Sequence, residues 1–568
     1  MTFGMPDLLK SLQNHDLGYI KILGELWRVE LEGLELKPAM QRLAQAILNR
    51  PAVQEMVASL PAEARDALDD LMQQEGRLSW HVFTRRHGMV REMGAGRRDR
   101  LQPHLNPVSP AEVLWYRGLV ARAFLDTPAG LEEFAYIPDD FLPFIPAPPP
   151  REAAPLGRLA SPGERAHPLP ASDRILDHAC SLLAGLRSGY SLDWIESRAR
   201  NWCFAAAARF APLSVATLHQ LLLAAGLVDA EGLPMPEPVR EFLACSRAEA
   251  LAKLYRLWVV SPAFNELRLL PGLDMEGEWQ NDPLRTRQTI LDFLATVPGR
   301  EPGAERPFWS LAAFVDAVRH QYPDFQRPAG DYDSWYIRQL ASGEFLRGVE
   351  HWDEVDGALI RYMICGPLHW LGVLDLAASA PWDDPQSQVT AFRYSAWAAN
   401  LLQAQPPENL PLEDSPIQVR SDFIVVVPRL APRSVRYQLA RFGDWEKEEV
   451  EAYHYRLTPA SLKRARQQGL TSNHLLALLR RHARTIAPNL VKAIERWERN
   501  GVEARFEQLL VLRLATPELL QLVRNSRAAR FLGDPLGPTA VAVKPGALDK
   551  VMAVLAELGY LGEVVAGE

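Results

Sequence analysis

The chain has 568 residues, an apolar fraction of 48%, a charged fraction of 23% and a formal charge of -8. This balance excludes wholesale disorder, supports large buried cores and suggests roughly three to five domains. Four cysteines (Cys180, Cys203, Cys245 and Cys365) without CxxC spacing argue against a zinc site or redox dithiol, and fit thiols used as small core residues in a reducing compartment.

The opening segment MTFGMPDLLKSLQNHDLGYIKIL lacks a basic stretch ahead of an apolar run, so no signal peptide is expected. No segment reaches the ~18 uncharged apolar residues of a membrane span. A soluble, cytoplasmic protein without membrane contact is expected. Helical periodicity then dominates. Residues 34–60 place Leu, Met, Ala and Ile at three- and four-residue steps, with Pro51 opening a second helix. ARDALDDLMQQ gives another helix that stops at Gly76. LSWHVFTRRHG follows, where Ser79 is placed to cap, and then SPAEVLWYRGLV, where Ser109 caps and Pro110 takes the first helical position. ARAFLD and EEFAYIP read as strands around TPAG. Three helices and a β-hairpin predict a winged-helix-like unit within residues 1–145.

A Pro-rich linker is expected over 146–170, extended or mobile. Residues 171–402 offer similar pieces. A helix at 214–228 ends in Ala-Gly-Leu-Val, helices follow at 286–298, 309–323 and 356–377, and QVTAFRYSAWAANLL (388–402) reads as a strand with a closing helix. Two further winged-helix-like units are expected there, with an irregular helical bundle as the alternative. A second Pro-rich linker, 403–414, precedes a domain at 415–568. It opens on the β-branched strand DFIVVVP and closes on strands at 504–515 and 538–545 and a helix at 546–561. The fold class expected is mainly α with small β elements, an α+β chain.

The motifs of several chemistries are missing from these residues. There is no Gly-Lys-Ser or Gly-Lys-Thr to cradle phosphates, no HExxH and no GxSxG. GAGRR (94–98) lacks the flanking strand and third glycine of a dinucleotide fingerprint. His87, His351 and His482 are scattered, and the Asp pairs at 139–140 and 383–384 fit turns or caps. The aromatic-rich segment 325–340 can stack bases or pack a loop, and packing is the reading preferred. No catalytic residue, metal ligand or cofactor is expected, and the chain is read as non-enzymatic.

Two segments are strongly basic. RRHGMVREMGAGRRDR (85–100) carries Arg85, Arg86, Arg91, Arg97 and Arg98 against Glu92 and Asp99. Residues 455–494 contain no carboxylate and include Lys463, Arg464, Arg466, Arg480, Arg481 and Arg484. Thr458 and Pro459 open one helix there, Gly469 ends it, Thr471 caps a second, and Pro488 opens a third that stops at Gly501, a helix-turn-helix-like series. Three explanations of the acid-free run stay open: phosphate binding, docking to an acidic protein surface, or a solvated face.

IQVRSDFIVVVPRL, YRLTPASLKRARQQGLTSNHLLALLRRHA and PNLVKAIERW carry Asp422, Tyr455, Leu457, Thr458, Ser461, Leu462, Ala465 and Gly469. This pattern resembles the N-terminal domain of XPB-type DNA helicases. WHVFTRRHGMVREMG and YRGLV resemble bacterial helicase-associated proteins that carry the domain behind winged helices. The architecture also resembles the winged-helix subunit of TFIIH that anchors XPB. The motor lobes, with their P-loop and acidic ATPase box, have no counterpart in these residues. The resemblance implies a helicase-associated accessory protein, working in DNA repair or transcription, that docks or regulates an XPB-like motor. Backbone contacts to double-stranded or forked DNA are also expected. The alternative is a stand-alone winged-helix DNA-binding regulator.

Overall fold

The computed structural model describes residues 5–127, 130–146, 154–198, 213–327, 331–503 and 508–565. The fold is mixed α+β, helices predominating, with five small sheets among the described residues. The chain forms two compact units, Met1–Ile486 and Ala487–Glu568.

The first unit begins with a helical block. Helices Leu36–Ile47, Arg50–Ala58 and Ala62–Gln73 turn Leu43, Ile47, Val53, Val57, Leu68 and Leu71 inward, as their three- and four-residue spacing requires. Asn49 caps the second of these, accepting from Ala52 N at 2.9 Å, with Pro51 in its first turn. Strand Arg77–Ser79, helix Trp80–His87, helix Pro110–Trp115 and the hairpin Ala121–Thr127/Gly130–Tyr136 follow. The short strand pairs antiparallel with the second hairpin strand, Leu78 opposite Ala135. Ser109 caps as expected, accepting from Glu112 N at 3.1 Å. Ser79 stands at the N-cap position but makes no capping hydrogen bond, because its residue is the last rung of the strand, opposite Phe134. A further helix, Ala95–Leu101, occupies the second half of the basic segment. The block closes its own apolar core, from Leu8 to Ile145.

The Pro-rich stretch is extended but packed where it is described. Leu156 and Ala160 are buried, Trp309 Nε1 donates to Leu156 O at 2.6 Å, and His167–Leu169 adds an edge strand to Leu374–Ala378. Residues 147–153 lie outside the described residues. The sheet runs 167–169, 374–378, 389–394, 309–310, and all five residues of its 374–378 strand are buried. Helices at 215–224, 247–260, 283–295, 311–321 and 358–365 surround it in sequence. The aromatic-rich segment is packed: Phe325, Tyr332 and Trp335 are buried, and the Arg327 guanidinium lies over the rings of Tyr332 and Trp335.

Residues 415–486 complete the first unit. Ile424–Pro428 is an inner strand with Val425 and Val427 fully buried, in the order 418–419, 424–428, 452–456, 444–448. Helix Arg433–Phe442 packs against helix Ile175–Arg187 and against two short helices, Pro459–Gln467 and Ser472–His482. The third helix of the basic series, Pro488–Asn500, opens the second unit. That unit holds a three-stranded sheet (510–513, 540–543, 532–535) and a core of Leu520, Val523, Val541, Val551 and Leu555 under helices Pro517–Arg524 and Leu548–Glu557. The expected strand at 504–515 is shorter, Leu510–Arg513, and residues 504–507 lie outside the described residues.

Candidate functional site

The two short helices at 459–482 owe their position to caps and an apolar stripe. Thr458 accepts from Ser461 N at 3.0 Å while Ser461 Oγ accepts from Thr458 N at 3.0 Å, so each satisfies an end donor of the helix. Gly469, at φ 79°, takes the left-handed turn between the helices. Leu462 and Ala465 on the first, and Leu475, Leu476 and Leu479 on the second, face inward. This orientation leaves the cationic side chains to solvent.

Lys463, Arg466, Arg480, Arg481 and Arg484 are exposed and form no ion pair among the described residues. Arg480 and Arg481 occupy the last turn of their helix, where the dipole favours positive charge. Arg464 differs. Its Nη2 donates to Asp444 Oδ1 at 2.9 Å and its guanidinium lies over the Tyr190 ring. Among the described residues, the run that lacks carboxylates is therefore answered by an acid from a neighbouring strand at one position of the six predicted there, Arg464.

The upstream cluster is used differently. Arg91 donates from Nε and Nη2 to the buried carboxylate of Glu112, at 2.9 and 2.8 Å. Arg98 is buried and pairs with Asp16 at 2.9 Å. Arg86 pairs with Asp70 at 3.1 Å, beside His87, and stacks over Tyr322. Burial alone would raise the Asp70 carboxyl, but the hydrogen bond from His87 and the charge of Arg86 hold it below the ordinary range. Arg85 pairs with Asp324. Of the predicted residues in this cluster, Arg97 is exposed without an ion pair among the described residues. These arginines mainly build the fold, whereas the 463–484 set projects from it.

A buried charge network went unseen in the sequence. Arg247 reaches Asp173 at 2.5 Å, Asp177 at 2.8 Å and Glu413 at 2.9 Å. Arg429 shares Asp173 and Asp177, both at 3.1 Å, and Arg433 pairs with Glu413 at 2.7 Å. Arg436 donates to the Asp177 carbonyl. Burial would push Asp177 up, but the Arg247 charge and hydrogen bond hold it low. No periodicity links these residues, so only the fold reveals them. They fasten the 415–486 segment to helix Ile175–Arg187.

The residues shared with the XPB-type pattern are framework. Tyr455 pairs across the sheet with Val425, Leu457 N donates to Phe423 O, and Leu462 and Ala465 are core. The pattern therefore marks framework positions, while Lys463, Arg466, Arg480, Arg481 and Arg484 stand exposed around them. Among the described residues no group of three or more His, Cys, Asp or Glu is placed to hold a metal ion, and no helix is long and apolar enough to cross a membrane.

Among the comparisons with known proteins, a family model meets this segment. Residues 417–534 match the family model for the helicase conserved C-terminal domain. The chain is 29% identical over 164 residues to the DNA 3'-5' helicase XPB of Kineococcus radiotolerans, covering 28% of this chain and 29% of that protein. It is 27% identical over 164 residues to the DNA 3'-5' helicase XPB of Mycobacterium tuberculosis, covering 28% and 30%. The match thus spans less than a third of these relatives. Over this stretch the chain is helicase-related.

Proposed function

We propose that this chain is a helicase-associated accessory protein that docks on or regulates an XPB-like motor in DNA repair or transcription, and that its basic face contacts the DNA backbone. The observation that carries this reading is the exposed set Lys463, Arg466, Arg480, Arg481 and Arg484, unpaired among the described residues and set within the helicase-related segment. Cations that point to solvent keep their charge for an external polyanion, and phosphate contacts of this kind bind without reading sequence. The accessory, non-catalytic part rests on the sequence, which has no Gly-Lys-Ser or Gly-Lys-Thr.

The N-terminal block has the helix, strand and hairpin order of a winged helix, and we read it as one. The helix that precedes its hairpin, Pro110–Trp115, buries Ala111, Glu112, Val113 and Leu114. A helix so enclosed offers little surface to a major groove. This favours backbone contact over the stand-alone, sequence-reading regulator.

The test is co-sedimentation of the purified chain with a purified XPB-type helicase, with the helicase's ATPase measured on forked DNA. A shared boundary and a change in ATPase rate are expected. Independent sedimentation with an unchanged rate would contradict the motor-docking reading.

A further inference from the structure

The arginines that the sequence put forward at 85–86 are occupied, and both reach outside their own block, Arg86 while also paired with Asp70 within it. Arg85 pairs with Asp324, and Arg86 Nη2 donates to Gln321 O at 3.2 Å while its guanidinium sits 4.9 Å from the Tyr322 ring centroid. The N-terminal block closes its apolar core within residues 8–145, so this reach is made by polar side chains from outside that core. Asp324 is nearly enclosed, at 6% side-chain exposure, and also accepts from Tyr332 Oη at 2.6 Å, whereas Arg85 keeps 34% of its side chain exposed. Beside this contact lies a cleft of about 560 Å³ lined by His81, Arg85, Arg319, His320, Tyr332 and Trp352, with Asp333 as its acid. Solvent and ions can therefore reach the ion pair.

We propose that the Arg85–Arg86 face is a second phosphate-contacting surface, held closed by a latch onto residues 321–324 and released when a polyanion competes for the two guanidiniums. This inference rests on the DNA reading above for its ligand, but not for the latch itself. The fixed half of the latch is Asp324, held by Tyr332. The movable half is Arg85, joined by Arg86, which keeps its Asp70 pair within the block, and both guanidiniums match phosphate geometry as well as carboxylate. The two engagements are mutually exclusive, so the closed contact lowers DNA affinity and DNA opens the contact. Salt weakens the pair in the same direction, through its exposed Arg85 half.

The experiment uses the full chain with fluorophores placed at Glu32, in the N-terminal block, and at Glu408, in the second Pro-rich segment, both exposed. Transfer efficiency is followed in a salt series and with a 20-mer duplex, alongside anisotropy of the same duplex. Asp324→Asn, which keeps a partner for Tyr332, is expected to change the transfer to its high-salt value already at low salt. It should also steepen the dependence of log K on log salt by about 0.9 to 1.8, the release of one or two further phosphate contacts. The exchanged pair Arg85→Glu with Asp324→Arg should restore the transfer without restoring the steeper slope. Transfer in Asp324→Asn identical to wild type at every salt would overturn the latch. A changed transfer with an unchanged slope would overturn the second surface. Absence of duplex binding by wild type would instead refute the DNA reading, and the transfer data would still decide the latch.

Discussion

At the scale of single residues, the eleven cations predicted from two basic segments separate by what lies next to them. Sequence proximity brought Arg91 and Arg98 into the same cluster as Arg97, but Glu112 and Asp16 reach the first two from other parts of the block. Such partners are invisible to local composition, because neither acid falls inside the segment. The downstream set was more legible, since its apolar stripe of Leu475, Leu476 and Leu479 fixes which side chains must face out. Arg91→Ala should therefore cost about 3 kcal/mol of stability, the penalty of leaving the Glu112 carboxylate buried without its partner, measured by urea denaturation. Arg481→Ala, at an exposed position without an ion pair among the described residues, should stay within about 0.5 kcal/mol of wild type in the same assay.

At the scale of elements, caps and glycines were the most readable signals. Thr458, Thr471 and Gly469 stand where the sequence placed them, because each satisfies a backbone requirement that depends on its near neighbours alone. Ser79 shows the limit, since strand pairing opposite Phe134 claimed its residue and left the cap unmade. Thr458→Ala should lower stability by about 1 kcal/mol through loss of the reciprocal cap, read from the shift in denaturation midpoint at unchanged slope.

Helix Ile175–Arg187 carries a pH dependence. Burial, chiefly, pushes the His178 imidazole down to about 3, with Asp177 opposing and Arg436 adding to the fall. A histidine that resists protonation when folded binds fewer protons than the unfolded chain. Stability should thus be full above the unfolded value near 6.5 and decline as pH falls from there toward 3. His178→Asn should flatten the decline between pH 6.5 and 4.5 in equilibrium denaturation. An equal decline in the variant would contradict the assignment.

At the scale of the whole molecule, the α+β class was legible from helical periodicity and a few β-branched runs. The joining of distant segments was not. The 415–568 region reads as one stretch in sequence, yet 415–486 is built into the first unit and 487–568 closes a core of its own. What fastens 415–486 is the network of Asp173, Asp177, Arg247, Glu413, Arg429 and Arg433, whose members come from four separate stretches of chain. Arg247→Met should destabilise the first unit by about 3–5 kcal/mol, because three carboxylates lose a shared partner in a buried site. Chemical denaturation would show it as an earlier transition.

The network also fastens the helix against which the basic face is built. Helix Arg433–Phe442 touches helix Ile175–Arg187 on one side and the two cation-bearing helices on the other. The role of this face depends on what those cations engage. The most direct measurement is the affinity of the full chain for a fluorescent 20-mer duplex across a salt series, beside a variant with Arg480, Arg481 and Arg484 all changed to Glu. Binding that weakens steeply with salt, with the slope of log K against log salt reduced by about 2.7 in the variant, is the predicted result, at ~0.9 per phosphate contact. Absence of binding at low salt, or an identical slope and affinity in the variant, would contradict it.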